Sequence, residues 1–298
     1  MKSRFRAAAG IAAFVLLGTN SVHAVESESS PISAGPEGYL TAIAPPPGMY
    51  WLGYALNYRS TRLNDNNGKN KLGANSGLSL DAAVARMHYA TSTQWLGGQL
   101  VWDVMIPYVD VGVTLGGAVT HKKGMGDIEW GPALAYHHSP NLHSAVALHV
   151  QVPTGAYDAN SALNIGHNYT TLLPIYALSY VNPTGMNGDI KVTGSWNSTN
   201  KDTRYRSGSE VVVDYTLGYA VAPKWVMGVG GYARQQFTDD SGAGVGADGN
   251  RARAFALGPS FIYNSGQGFY LTAKYQVESQ VQNMWQGKAL WLKATSPF

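Results

Sequence analysis

Glu210-Val211-Val212-Val213-Asp214-Tyr215-Thr216-Leu217-Gly218-Tyr219-Ala220-Val221 alternates with a period of two. Val211, Val213, Tyr215, Leu217, Tyr219 and Val221 share one parity, against Glu210, Asp214, Thr216 and Gly218 on the other. Successive side chains of a strand point to opposite faces, so the stretch reads as a β-strand with one apolar, aromatic wall and one polar wall. The signature recurs. Tyr50, Leu52, Tyr54, Leu56 and Tyr58 alternate with Trp51, Gly53, Ala55, Asn57 and Arg59. Phe269, Leu271, Ala273, Tyr275 and Val277 alternate with Thr272, Lys274, Gln276 and Glu278, and Leu142, Val146, Leu148, Val150 and Val152 oppose His143, Ala145, Ala147, His149 and Gln151.

Working outward from these, twelve segments read as strands: near 49–59, 78–90, 97–110, 126–138, 142–153, 168–181, 187–196, 208–221, 225–237, 251–263, 268–278 and 288–297. Most reach about ten residues, the length a tilted strand needs to cross a bilayer, whereas strands of globular proteins usually run to about 5–6. The links between them sort by length. Long polar links (60–77, 114–125, 154–167, 197–207, 238–250 and 279–287) alternate with short ones centred on 92–94, 139–141, 182–186, 222–224 and 264–267. Outer-membrane barrels pair short periplasmic turns with longer extracellular loops. The pattern predicts an all-β fold: a transmembrane, antiparallel, up-and-down β-barrel of about twelve strands over residues 49–298, in the bacterial outer membrane.

With the apolar parity turned to lipid, Tyr50, Tyr58, Trp102, Tyr108, Trp130, Tyr136, Tyr176, Tyr180, Tyr219 and Trp225 would form the interfacial aromatic girdle. Pro132 and Pro174 share that parity and imply a bulge or a missing ladder bond. Phe298, after a strand carrying Leu290 and Leu292 on one parity, resembles the terminal signal read by the outer-membrane insertion machinery. That machinery and outer-membrane lipids are the expected partners.

Composition agrees. Charged residues make up 13% of the 298, against roughly 25% in an ordinary soluble domain. Tyr (18), Trp (8) and Gly (35) are abundant, which argues against disorder. Lys2, Arg4 and Arg6, the apolar stretch Ala7 to Leu17, and Val22-His23-Ala24 read as a signal peptide over residues 1–24. Residues 25–48 are then expected as a periplasmic N-terminal lead. Three of the 21 basic residues lie in the signal, so the remaining 18 only match the 18 acidic ones and no basic footprint for nucleic acid is left. With no cysteine, zinc–thiolate sites, Cys nucleophiles and redox motifs are absent.

The stretch Pro45-Pro46-Pro47-Gly48-Met49-Tyr50, with Tyr54 and Tyr58 following, resembles the start of the outer-membrane family named for the meta-pathway of phenol degradation. A Gly-x-Gly-Asp turn before a strand matches Gly124-Met125-Gly126-Asp127, with Pro132 downstream. A strand ending in Pro-Thr-Gly matches Val152-Pro153-Thr154-Gly155, followed by Asn164 and Gly166-His167-Asn168. The resemblance covers about Pro45 to Phe298, and its motifs are turn chemistry without catalytic residues. It implies a passive uptake channel for small hydrophobic or aromatic compounds linked to aromatic degradation, with a small aromatic ligand. Two other readings compete: an outer-membrane lipid-modifying enzyme, which needs a Ser, a His and an Asn or Asp converging at the outer leaflet, and a closed structural or adhesive barrel working through its loops.

Across a tight turn at Ser139-Pro140-Asn141, His137 and His143 face each other inward, with Cβ atoms about 5 Å apart. His149 lies about 20 Å further along the strand, leaving two ligands where metal sites use three or four. No Gly-x-Ser-x-Gly elbow occurs. The run Gly242 to Gly249 lacks the helix and the Lys-Ser/Thr of a phosphate loop. No catalytic residue, cofactor or metal is expected, and the chain does not read as an enzyme. The inward parity instead collects Asp103, Glu129, His143, His149, Lys191, Glu210, Asp214, Arg234, Lys274 and Glu278 as lumen-lining candidates. A barrel of this size encloses either packed side chains or a ligand cavity.

Overall fold

The computed structural model describes residues 30–297, and the expected signal peptide lies outside them. The described residues form fourteen strands: β1 (Gly48–Leu63), β2 (Gly77–Trp95), β3 (Gly98–Leu115), β4 (Ala118–Met125), β5 (Ile128–His137), β6 (Leu142–Val152), β7 (Thr171–Tyr180), β8 (Met186–Gly194), β9 (Trp196–Asn197), β10 (Glu210–Ala222), β11 (Trp225–Gln236), β12 (Arg253–Asn264), β13 (Tyr270–Gln282) and β14 (Trp285–Pro297). All pairings are antiparallel, and β1 bonds both β2 and β14, so the sheet closes on itself. β4 and β5 both pair with β3 and are one wall strand broken at Gly126-Asp127. β8 and β9 both pair with β7 and are one strand broken at Ser195. The wall therefore has twelve strands, each coinciding with a segment read from the sequence.

Two of the long links are shorter than alternation suggested. β3 and β4 continue as a hairpin to the pair Leu115↔Ala118, turning through Gly116 and Gly117 with φ of 58° and 91°. That left-handed backbone suits glycine. β13 and β14 likewise run to Gln282 and Trp285. Beyond the bilayer, backbone pairing continues without lipid to impose an apolar face, so these extensions read as polar loops.

The outer surface carries Trp102, Tyr108, Trp130, Tyr176, Tyr180, Tyr219 and Trp225, all exposed, together with Val229, Leu257, Val277 and Leu292. An exposed apolar belt on a closed barrel is a lipid-facing surface. Tyr50 and Tyr58 do not belong to the girdle. β1 is turned the opposite way: Tyr54 is 6% exposed and Trp51 43%. Alternation establishes two faces but not which one meets lipid. In β1 the outward residues Gly53 and Ala55 are small enough for a lipid-facing wall, while the inward tyrosines find partners. Tyr54 donates to Glu37 Oε1 at 3.1 Å and Tyr58 to Glu278 Oε2 at 2.8 Å.

A second correction concerns the N-terminal lead. From Ser30 to Gly48, the chain runs inside the barrel as a thread rather than beneath it in the periplasm. Its amides donate to the wall in sequence: Gly35 to Asp214 (2.5 Å), Tyr39 to Thr216 (3.2 Å), Thr41 to Asp189 (2.9 Å) and Ala42 to Ser179 (2.9 Å). Ser30 bonds Glu210 at the long-loop end, and Gly48 enters β1 at the short-turn end. Nothing in the thread alternates. It has no strand of its own and satisfies its backbone on polar wall side chains, as buried amides require.

Candidate functional site

The extracellular half of the lumen holds a cavity of about 690 Å³. Its wall is made by inward residues of three neighbouring strands: Leu56 of β1, whose parity the sequence turned outward, Leu78 and Leu80 of the irregular β2, and Val109, Val111 and Val113 of β3. Ala289 and Trp291 of β14 complete that side, the thread contributes Ile32 and Ala34 below, and Tyr157, Leu163, Ile165 and Tyr169 roof it. The volume lies within the range of small-molecule pockets, which are mostly apolar with a few polar groups at the edge. Here those include Arg234, Glu278, His167, Asn164 and Thr120.

The roof is held by the turn motifs. Asp127 Oδ1 accepts the Gly155 amide at 2.8 Å, while Oδ2 accepts the His167 amide at 2.8 Å and its ring Nδ1 at 3.0 Å. One carboxylate in the break between β4 and β5 thus staples both ends of loop 153–170. A Cβ at Gly155 would come within 2.8 Å of Gly166 Cα, so the two loop ends approach backbone to backbone. Asp127→Ala removes three hydrogen bonds to a charged acceptor, each contributing about 1.5–3 kcal/mol. Amide exchange at Gly155 and His167 should then accelerate at least tenfold, with the amides of β5 and β6 unchanged. Equal exchange rates would show that the loop is anchored elsewhere.

Below the cavity the thread is gripped by charge. Glu37, 4% exposed, meets Lys293 (3.1 Å), Arg86 (3.1 Å) and Lys191 (3.6 Å). Lys274 donates to the Glu37 carbonyl, and Lys293 to that of Gly38 at 3.1 Å. Arg86 also reaches Asp103 at 2.7 Å, and His88 Nδ1 sits 2.9 Å from the same oxygen.

The ten lumen candidates fall into five places. Lys191 and Lys274 hold the thread at Glu37, and Asp214 holds it at Gly35. Glu210 and Arg234 pair at 3.5 Å near Ser30. Glu278 accepts from Tyr58, Tyr232 and the Gly287 amide. His149 Nδ1 bonds Glu129 at 2.7 Å, with Asp103 3.8 Å from its other nitrogen. His143 stands apart at the short-turn end, its Nδ1 2.7 Å from that of His137 in the register His137↔His143. Among the described residues, no group of three or more His, Cys, Asp or Glu could hold a metal ion. A Ser–His contact, His138 Nε2 to Ser144 Oγ at 2.7 Å, lies at the same periplasmic hairpin, at the opposite end from the outer leaflet.

Glu37 and Arg86 were missed. Glu37 lay in the segment read as an external lead, although it is the one charged residue between Pro31 and Met49. Arg86 sits in the least regular strand, where an inward apolar face obscured the parity.

A family model described as "Putative MetA-pathway of phenol degradation" matches residues 60–294. Among solved structures, the fold is similar to the crystal structure of the COG4313 outer membrane channel from Pseudomonas putida F1, with 18% identity over 87% of this chain and 98% of that one and a TM-score of 0.77. It is also similar to the transport unit of the autotransporter AIDA-I from Escherichia coli, with 8% identity over 87% and 94% and a TM-score of 0.51. At such identities the likeness is one of fold. No curated protein sequence matches the chain.

Proposed function

The chain belongs to the family described as a MetA-pathway of phenol degradation, and from that premise we propose that it is a passive outer-membrane channel for small hydrophobic or aromatic compounds. The observation that carries this reading is the apolar inner face of β1, β2 and β3 around the 690 Å³ cavity. A channel for ions or sugars has no use for Leu56, Leu80 and Val111 turned away from lipid, because apolar side chains facing a wet lumen forgo burial worth about 25 cal/mol per Å². The COG4313 neighbour is itself called an outer membrane channel, which supports the reading without supplying a substrate. A solute would enter beneath loop 153–170, rest in the cavity, and leave past the thread.

The direct test is uptake of labelled toluene or phenol by a deletion strain, with and without the gene restored. Restored uptake at least several-fold above the deletion supports a channel, and equal rates reject it. Leu80→Glu gives a sharper version. A carboxylate in the apolar wall either stays solvated and fills the site with water or becomes neutral at a cost. Uptake should fall roughly tenfold while heat-modifiable migration in detergent gels, the mark of a folded barrel, is retained.

The closed-barrel reading draws on a specific observation as well, since the thread occupies the lumen. The two readings differ in whether releasing the thread opens a path.

A further inference from the structure

The outer wall carries charge at one end and on one side. At the short-turn end its outward residues are aromatic or aliphatic, with Trp51, Tyr89, Trp102, Tyr180 and Trp225 exposed. Among the described residues, β5 to β11 turn no Asp, Glu, Lys or Arg outward, and Trp130, Leu172 and Trp196 are exposed near their long-loop ends. The neighbouring strands β14, β1, β2, β3 and β4 differ. Toward their long-loop ends Lys288, Arg59, Asp81 and Lys123 are exposed and Asp110 is half-buried, on the same outer face as Leu290, Tyr108 and Met125.

The pairing register lines these residues up. Lys288 stands opposite Arg59, Asp81 opposite Asp110, and Asp110 opposite Lys123. On each of β14, β3 and β4 the charge comes two residues beyond an exposed apolar side chain: Leu290, Tyr108 and Met125. A charge on a lipid-facing wall is costly at the bilayer midplane and nearly free at the interface, so the row marks the headgroup level of the outer leaflet.

The acids in the row act as struts. Asp81 Oδ2 accepts from Arg59 Nη2 at 2.7 Å and its Oδ1 from Asn57 Nδ2 at 2.7 Å, while Asp110 Oδ1 lies 2.5 Å from His121 Nε2. Lys288 and Lys123, at the two ends, are left with neither an ion pair nor a hydrogen bond. Arg59 and Lys288 are directly opposed like charges with Cβ atoms about 5 Å apart, which is destabilising unless an anion lies between them. The anion available at that depth is a lipid phosphate, which accepts strongly from guanidinium and ammonium groups alike.

We propose that this row binds the phosphate groups of phosphorylated glycolipid in the outer leaflet, Arg59 and Lys288 gripping one phosphate and Lys123 bordering the next lipid. The site lies on the outside of the wall and is independent of what passes through the lumen. The β5 to β11 side has no such grip, so the lipid shell is polarised around the barrel.

The test adds diphosphorylated lipid A, or the same lipid dephosphorylated, to the folded barrel in detergent micelles and reads retained lipid by native mass spectrometry. The diphosphorylated lipid should be retained at least tenfold more strongly. Arg59→Gln with Lys288→Gln should lower that retention roughly tenfold to thirtyfold, since each basic group near an anionic headgroup strengthens binding several-fold. Lys201→Gln with Lys224→Gln removes the same charge from an exposed loop and an exposed turn, and should leave retention unchanged. An excess of inorganic phosphate should not displace the lipid. Should the Arg59 and Lys288 pair of changes prevent folding, Lys288→Gln alone, which breaks no contact, should still lower retention several-fold. Equal retention of the two lipids, equal behaviour of the two variant pairs, or displacement by inorganic phosphate would each overturn the assignment.

Discussion

Replacing Glu37 by Ala should turn a quiet barrel into a conducting one. In planar bilayers, single-channel conductance is expected to rise several-fold over the unaltered protein, with the barrel still heat-modifiable. Glu37 is the shared counter-ion of Lys293, Arg86 and Lys191. Removing one partner of a buried ion pair typically costs about 3–5 kcal/mol, because the remaining charge is left uncompensated. Here Lys293 and Lys191 would lose their paired carboxylate, while Arg86 would keep Asp103 at 2.7 Å. The thread would lose its strongest attachment and keep amide bonds to Asp214, Thr216, Asp189 and Ser179. The two bonds to the hydroxyls of Thr216 and Ser179 contribute only about 0.5–1.5 kcal/mol net each, and the two to the carboxyl groups of Asp214 and Asp189 at most about 1.5–3. Glu37→Gln, which retains an acceptor for Tyr54 and one amide to share, should fall between the two. Unchanged conductance in Glu37→Ala would show that the thread is a permanent filler and would favour the closed structural barrel.

The second large effect is expected on the outer wall. Leu217, exposed at the middle of β10, faces lipid, whereas Asp214 on the same strand faces the thread. Leu217→Arg should lower barrel stability by roughly 2–4 kcal/mol, the depth-dependent cost of a cation near the bilayer midplane. Asp214→Asn should leave insertion intact, since the amide oxygen can still accept the Gly35 N–H. Urea unfolding of protein reconstituted in vesicles separates the two. If Asp214→Asn blocked insertion while Leu217→Arg were tolerated, the strand would be facing the other way.

What was readable in the sequence follows from what lipid and water impose separately. β10, β6 and β13 lie between a uniformly apolar exterior and a polar lumen, so their alternation specifies strand and facing together: Val213, Leu148 and Val277 point out, Asp214, His149 and Glu278 in. The inward parity of all ten lumen candidates came from that contrast. It fails where the lumen is itself apolar. In β1 and β2 both environments favour hydrophobic residues, so Tyr54, Leu56 and Leu80 were as consistent with lipid as with a cavity. The cavity was hidden for the same reason that it exists. The thread was invisible on different grounds, since most of its amides are held by wall side chains more than a hundred positions away.

That arrangement has a consequence for the order of assembly. Glu37 and Lys293 are 256 residues apart, Ser30 and Glu210 180 apart, and β14 supplies the latch only once it has paired with β1. Contacts of such long sequence separation form late, because the entropy of closing the intervening loop must be met first. An unfinished sheet consequently holds its own leading segment loosely, with Arg86 and Lys191 competing for Glu37 before Lys293 arrives. The latch is closed by the last strand to be made, so a locked lumen is also a chronometer: it marks the moment at which the wall became continuous.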